Sequence, residues 1–209
     1  PVHINLSTTY SKDFSVKALP TARAIHRYDA LSTKLPEIKG EKIAIFCGTH
    51  LIWTKDEVEA IDSFCEAYNA VVFCDPASNY TGKYRVNFSL VSSQKYMSEN
   101  RNPDLLIHIG NMSDMCGIVG TPKATWRVSE DGFLADRYRT LTNVFEMSEK
   151  TFFSLYAKQH QPQATTYYES CIAEQRKLEG NIPELPFSHI WVASQLAPKL
   201  PKNSVLHLG

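Results

Sequence analysis

The stretch Asp104-Leu-Leu-Ile-His-Ile-Gly110, followed by Asn111-Met-Ser-Asp114, decides the fold prediction. Its central residues are apolar or tolerated in strands, and they end at a glycine and a cluster of turn formers. A short run that is apolar on both faces is typical of a strand buried in a parallel sheet. Gly110 permits a sharp turn at the carboxyl end of this strand. We therefore predict an α/β fold with this strand inside a parallel sheet.

Polar side chains follow two of the predicted strands. In open α/β sheets, ligands bind in the crevice beyond the carboxyl ends of the strands. Asn111, Ser113 and Asp114 follow the strand quoted above, and we predict that they line such a crevice. Glu130 and Asp131 follow a later strand, where an acidic strand end can hold a ribose hydroxyl; a solvated turn is the alternative. None of these residues is reactive alone, so we predict a domain that frames a site.

The composition excludes several classes of protein. The 209 residues are 43% hydrophobic, and Lys+Arg and Asp+Glu balance at 22 each. This balance provides no field that would attract nucleic acid or an anionic membrane. No apolar run approaches the ~18 residues of a membrane span, and no signal peptide is present. The 5 cysteines are scattered without a C-x-x-C pair, which favours reduced thiols in a cytoplasmic protein.

Strand and helix patterns alternate along the chain. The predicted strands are Lys42–Gly48, Ala70–Asp75, Asp104–Gly110, Ala124–Ser129 and Leu141–Glu146. Helices are predicted at about 55–68, after Ser148, at about 165–180 and at 187–200, with a weak helix at 89–100 and a short helical piece near 21–31. This alternation predicts a three-layer α/β/α, Rossmann-like fold with a mostly parallel sheet of about six strands.

Known catalytic and cofactor motifs are not evident. The turn Cys47-Gly-Thr-His50 has one glycine where the dinucleotide fingerprint needs three, so we favour a plain βα turn. His108 lies between isoleucines and is interpreted as a core residue, and His50 as a loop residue. No cysteine has a neighbouring cation that would lower its pKa, which disfavours a nucleophile. We predict no catalytic, cofactor-binding or metal-binding residue in the chain.

The order of these parts resembles thiamine-diphosphate-dependent enzymes of the pyruvate-decarboxylase and acetolactate-synthase superfamily. The segment from about 38 to 158 resembles their central domain, with matching marks at Ile43–Gly48, Asp104–Gly110, Trp126–Asp131 and Val144–Met147. Pro1–Leu6 is similar to the end of their pyrimidine-binding domain. Phe187–Leu196 and Leu206–Gly209 are similar to the start of their diphosphate-binding domain.

The resemblance implies a domain organisation in which both ends of the chain are cut. Residues 1–8 would be the end strand of a truncated pyrimidine-binding domain, and 9–41 a linker. Residues 42–160 would form the central domain, 161–186 a helix and linker, and 187–209 the start of a truncated diphosphate-binding domain. The natural partners would be the chain's own flanking domains, in a parent that is expected to be a homo-oligomer.

The resemblance also implies what this chain lacks. In the superfamily, the activating glutamate precedes the region that matches residue 1, and the Gly-Asp-Gly…Asn motif for magnesium and diphosphate follows the region that matches residue 209. The chain would therefore be catalytically silent and bind no cofactor. Its parent would use thiamine diphosphate and Mg²⁺ as a 2-oxo acid decarboxylase or carboligase, that is, a transferase or lyase. We expect Asn111, Ser113, Asp114, Glu130 and Asp131 to line the substrate crevice.

Within the superfamily, the likeness is strongest to the menaquinone-pathway family of 2-succinyl-5-enolpyruvyl-6-hydroxy-3-cyclohexene-1-carboxylate synthases. That family has a Lys-Arg pair facing an anionic substrate where this chain has Cys116-Gly117. A parent that decarboxylates a different 2-oxo acid therefore stays open. A free-standing Rossmann-like nucleotide- or FAD-binding module and a structural or interaction domain are the alternatives.

Overall fold

A computed structural model describes residue 15 and residues 23–93, 98–111, 116–162, 164–202, 204 and 206. The strands are β1 His26–Asp29, β2 Ile43–Cys47, β3 Ala70–Cys74, β4 Arg85–Val86, β5 Leu105–Ile109, β6 Ala124–Ser129 and β7 Leu141–Glu146. The helices are α1 Lys55–Tyr68, α2 Ser89–Ser93, α3 Glu149–Ala157, α4 Thr166–Glu179 and α5 His189–Leu196. Short 3₁₀ helices cover Glu99–Arg101, Cys116–Ile118 and Ala197–Lys199.

The strands form one sheet with the order β1-β7-β6-β5-β2-β3-β4. Every pair of neighbouring strands runs parallel, which confirms the predicted α/β class. The quoted stretch forms β5, which lies inside the sheet between β2 and β6 and is buried along its whole length. Ile43 of β2 is in register with Leu105 of β5. Burial on both faces explains why neither strand shows an alternating polar pattern.

Two apolar layers cover the two faces of the sheet. On one face, Ile43 and Ile45 of β2 belong to a cluster with Phe64 of α1 and Phe152 of α3. On the other face, the intervening residue Ala44 belongs to a second cluster that includes residues of α2 and α4. Side chains of a strand alternate between faces, so one strand supplies both layers. The result is the predicted three-layer arrangement.

Helix starts agree closely with the sequence signals. Glu57 N–H donates to Thr54 Oγ1 at 3.4 Å, and Thr54 N–H donates to Glu57 Oε2 at 2.8 Å. These reciprocal bonds form a capping box at the start of α1. Ser148 Oγ accepts from Thr151 N–H at 3.2 Å and caps α3 in the same way. The cap at Ser148 matters for the site because it fixes the position of the first residue of α3.

The short helical piece expected near residues 21–31 is wrong, because residues 26–29 form strand β1. This strand pairs with β7 in parallel, with His26 opposite Asn143. Arg27 Nη1 lies 2.6 Å from Glu146 Oε2, and Tyr28 stacks on Phe145 with ring centroids 5.3 Å apart. These contacts come from residues more than a hundred positions away, so tertiary packing overrides the local pattern.

The sheet has seven strands within the described residues, where about six were predicted. The five strands predicted between residues 42 and 146 are all present, and two edge strands, β1 and β4, are added to them. The latter is only Arg85–Val86 and was not among the predicted strands. In place of the weak helix expected at 89–100, the structure has the short helix α2 and the 3₁₀ turn at Glu99–Arg101. Residues 94–97, between them, are not among the described residues.

The predicted ends of the chain are largely untested. The strand predicted at residues 1–8 lies outside the described residues, as does most of the strand predicted at 204–209. The amphipathic helix predicted at 187–200 is present as α5, followed by the 3₁₀ turn at Ala197–Lys199. The domain boundaries at 8, 41, 160 and 186 stay predictions.

Candidate functional site

The strand order reverses between β2 and β5. From β2 the chain proceeds outward through β3 and β4, and it then returns to the other side of β2 at β5. Connections that leave the carboxyl ends of these two strands in opposite directions open a crevice, which is the usual ligand position in such sheets. A cavity of about 320 Å³ lies there, and we call it the carboxyl-edge cavity. Its lining residues are Thr49, His50, Leu51, Gly110, Asn111, Arg127, Ser129, Glu130, Asp131 and Glu149.

The turns after β2 and β5 are locked to each other. Gly48 N–H donates to Ile109 O at 3.0 Å, and Asn111 N–H donates to Thr49 O at 2.8 Å. A Cβ atom on Gly48 would lie 2.0 Å from Asn111 O, so only glycine permits this approach. Gly110 has a φ of 70°, which confirms the sharp turn predicted from its identity. Together these bonds hold Asn111 at the cavity; its predicted role in lining a substrate crevice stays a prediction.

His50 forms the side of the cavity next to α3. Its ring stacks on Trp53 with centroids 3.6 Å apart, and its Nδ1 lies 2.9 Å from Leu51 O. The carbonyl can only accept, so Nδ1 carries a proton and donates to it. The other ring nitrogen, Nε2, lies 3.8 Å from Glu149 Oε1. His50 was interpreted as a loop residue, and the structure places this loop at the cavity.

Arg127 is the cation of the cavity. Its residue is 6% exposed, and Nη1 donates to the carbonyl oxygen of His108 at 3.3 Å. The Nε atom is buried and has no hydrogen-bond partner among the described residues. Burial lowers the pKa of Arg127, while the carboxylates of Glu149 and Asp131 act in the opposite direction. Both carboxylates lie close enough to act on the guanidinium electrostatically, but neither forms an ion pair with it.

The acidic residues predicted after β6 reach the same cavity as Asn111. Asp131 Oδ1 accepts from Phe133 N–H at 3.0 Å, and this bond lowers the pKa of Asp131. Glu130 is exposed at the rim. The structure therefore brings together Asn111, Glu130 and Asp131 from turns that are about twenty residues apart. Ser113 and Asp114, predicted for the same crevice, lie outside the described residues.

Reactive groups are poorly suited to catalysis in the described part of the chain. Four of the cysteines, Cys47, Cys65, Cys74 and Cys171, are free and buried. Burial raises the pKa of Cys74 to about 11 and that of Cys47 further, so both are thiols at neutral pH. Burial, with the charges of Arg127 and Arg137, lowers the pKa of His108 to about 3. Among the described residues, the cavity therefore presents polar and charged groups but no activated nucleophile.

Among the described residues, no group of three or more His, Cys, Asp or Glu side chains is placed to hold a metal ion. No helix in the described ranges is both long enough and apolar enough to cross a membrane.

The turn after β2 does not provide a phosphate cradle. In dinucleotide-binding folds, free backbone amides of the first βα turn hold the pyrophosphate. Here the amide of Gly48 donates to Ile109 O at 3.0 Å, and the amide of His50 donates to Ala77 O at 3.1 Å. The single glycine is explained by its contact with Asn111. These contacts support the sequence interpretation of a plain βα turn.

Arg127 and Glu149 line the cavity but were not predicted from the sequence. Arg127 is the charged residue of β6, in an otherwise uncharged strand that is buried from Thr125 to Ser129. A charge inside a buried strand is rarely tolerated without a partner, so it is a signal that a sequence can show. Glu149 follows the helix cap at Ser148, and nothing in the local sequence links it to β6.

Comparison with known proteins gives a distant likeness. No family model matches the chain. The chain is 25% identical, over 234 aligned positions, to the 2-succinyl-5-enolpyruvyl-6-hydroxy-3-cyclohexene-1-carboxylate synthases of two strains of Bacteroides fragilis. The alignment covers 100% of this chain and 40% of each synthase. The chain thus spans well under half the length of the curated relatives that it matches.

Proposed function

We propose that the chain is the non-catalytic central domain of a thiamine-diphosphate-dependent enzyme that decarboxylates a 2-oxo acid and transfers the resulting carbanion. The domain spaces the two coenzyme-binding domains and lines one wall of the substrate crevice. The coenzyme and its Mg²⁺ bind to the flanking domains of the cytoplasmic parent polypeptide, which assembles as a homo-oligomer. The distant likeness to the synthases over the full length of this chain supports the proposal.

The proposal rests mainly on the residues that line the carboxyl-edge cavity. This cavity gathers Asn111, Glu130 and Asp131 at the point where a sheet of this order holds its ligands. Its described lining contains polar and charged groups but no cysteine, and His50 is its histidine. A domain with binding groups and no activated nucleophile suits a framing role, in which the coenzyme supplies the chemistry.

The parent decarboxylates a 2-oxo acid, and at least one of its substrates differs from those of the menaquinone-pathway synthases. Cys116-Gly117 stands where those synthases are expected to have a Lys-Arg pair. A pair of cations would contribute strongly to the binding of a polycarboxylate, so its replacement favours a less anionic acceptor.

The wall assignment is tested by steady-state kinetics of the parent enzyme. We expect Asn111→Ala to raise the KM for the acceptor severalfold while kcat changes little, because the side chain contacts substrate away from the reacting atoms. Lys177→Ala, on the exposed surface of α4, is the matched control and leaves both parameters unchanged. An unchanged KM in the Asn111 variant would remove the loop after Gly110 from the crevice.

A further inference from the structure

Among the described residues, no carboxylate lies within ion-pair distance of Arg127. The residue is 6% exposed, and its guanidinium makes a 3.3 Å hydrogen bond to a neutral carbonyl, that of His108. A guanidinium has five N–H donors and stays charged when buried. Its Nε–H has no partner among the described residues. A buried charge is costly unless it is paired and hydrogen-bonded, so this position favours an anion that comes from elsewhere.

The nearest carboxylates of the described chain have other partners. Asp131 Oδ1 accepts from the amide of Phe133 at 3.0 Å. Glu149 Oε1 lies 3.8 Å from His50 Nε2. Both carboxylates influence Arg127 through space. Neither appears with Arg127 among the ion pairs within 4.0 Å between described residues.

The charges around the cavity select among anions. A planar guanidinium matches a carboxylate in a two-bond geometry. A phosphate with two charges would meet Arg127 and also Glu130, Asp131 and Glu149 at the described cavity wall, whose negative charges would repel it. The same wall carboxylates are strong acceptors for hydroxyl groups. The cavity of about 320 Å³ suits a small ligand.

We propose that the carboxyl-edge cavity binds a small hydroxylated monocarboxylate. The carboxylate of the ligand pairs with Arg127, and its hydroxyl groups donate to Glu130 and Asp131. This inference deepens the proposed function, because it names the chemical class that the same crevice wall receives, and its role in the parent rests on that proposal. Binding by the chain itself does not require thiamine diphosphate, so the two proposals can fail separately.

The test is a titration of the full 209-residue chain followed by ¹H–¹⁵N NMR of arginine Nε–H groups. Glycerate (2,3-dihydroxypropanoate) is the probe, with glycerol and inorganic phosphate as comparisons. We expect a saturable shift of the Arg127 Nε–H resonance with glycerate, no such shift with glycerol, and at least tenfold weaker binding of phosphate. Arg127→Gln should weaken glycerate binding at least tenfold, because it removes a charge-assisted hydrogen-bonded pair. Arg85→Gln, at an exposed position on edge strand β4, is the matched control and leaves the affinity unchanged.

Several results would overturn the proposal. These are the lack of a saturable shift, equal affinity in the Arg127→Gln variant, or tighter binding of phosphate than of glycerate. A further variant, Asp114→Asn, addresses a carboxylate outside the described residues. If glycerate binds only after this substitution, the chain's own carboxylate occupies the position and the proposal is wrong. The resonance of the unmodified chain decides the question even if Arg127→Gln does not fold.

Discussion

The carboxyl edge of the sheet has two halves of opposite character. Beyond β3, residues 75–80 form a sealed turn in which polar groups find partners inside the chain. Ala77 N–H donates to Asp75 Oδ1 at 2.8 Å, Trp53 Nε1 donates to Ser78 O at 2.8 Å, and the Tyr80 hydroxyl donates to Asp62 Oδ1 at 2.7 Å. Beyond β2, β5 and β6, the carboxyl-edge cavity is open, and the buried Arg127 Nε has no described partner.

One edge of a sheet can therefore stabilise the fold in one half and bind a ligand in the other. Satisfied buried polar groups rigidify a structure, whereas an unsatisfied one costs stability and is retained where a ligand completes it. Substitutions in the sealed turn should therefore destabilise the fold. Substitutions of cavity residues should have small or opposite effects on stability and large effects on binding.

The largest effect is expected at Trp53, which closes the sealed turn. Its residue is 8% exposed, and it contacts both Tyr80 and His50. Trp53→Ala should reduce the free energy of unfolding by about 3–5 kcal/mol, because it removes a large buried ring and leaves a cavity. Urea denaturation measures this change. Trp53→Phe is the control. Its free energy of unfolding should fall much less, because it keeps an aromatic ring and loses only the bond to Ser78 and part of the ring volume. A loss below about 1 kcal/mol in the alanine variant would contradict the description of this turn.

His108 should make the fold sensitive to acid. Its pKa is about 3 in the folded state, below the ordinary value of 6.5, because burial disfavours the charged ring. Between these two values the unfolded chain binds one more proton than the folded chain. Stability that is present above pH 6.5 is therefore lost as pH falls towards 3, by about 1.4 kcal/mol per pH unit.

The measurement is urea denaturation at a series of pH values between 6.5 and 4. His108→Leu should remove most of this slope. His26→Asn, at an exposed position on β1, provides the control and should retain the full slope. An unchanged slope in the leucine variant would show that His108 is not the group that responds.

Arg127→Met is expected to have an effect of opposite sign to the variants of the sealed turn. In the ligand-free chain, the substitution replaces a buried cation that has no ion-pair partner among the described residues with an apolar side chain of similar length. The free energy of unfolding should rise by about 1–2 kcal/mol, as it does where buried charges are replaced by apolar groups. Thermal or urea denaturation without added carboxylates measures it. A fall of more than about 1 kcal/mol would mean that Arg127 serves the fold.

The smallest effect is expected at Thr54, which caps α1 just after the turn that carries His50. Thr54→Ala should cost about 1 kcal/mol, because the amide of Glu57 loses the acceptor of its capping bond. Thr54→Ser keeps the hydroxyl and should be nearly neutral. If the alanine variant is as stable as the serine variant, the capping bond contributes nothing measurable.

The interior of the fold was predictable because it depends on local patterns. The apolar runs of β2, β3 and β5 and the capping residues Thr54 and Ser148 each carry their signal within a few positions. The edge strands were not predictable. Arg27 and Tyr28 lie in a strand because Glu146 and Phe145 lie beside them, and that proximity is a property of the folded sheet.

The positions of the candidate site residues were predictable in the same partial way, while their function stays a prediction. Asn111, Glu130 and Asp131 were found because the carboxyl ends of parallel strands meet at one edge. Arg127 was not predicted, because an arginine inside a strand can be assigned to a site only when the burial of its guanidinium is known. Glu149 joins the cavity through the packing of α3 against the sheet, and the sequence around it reports only a helix start.

The most direct test of the central claim is calorimetric titration of thiamine diphosphate with Mg²⁺ into the parent polypeptide, with this chain alone as the control. We predict saturable binding to the parent and none to the chain, because the coenzyme is held by the flanking domains and this domain frames the substrate. Binding to the chain alone would contradict the framing role. No binding to either would contradict the assignment to thiamine-diphosphate-dependent enzymes and reduce the likeness to one of fold.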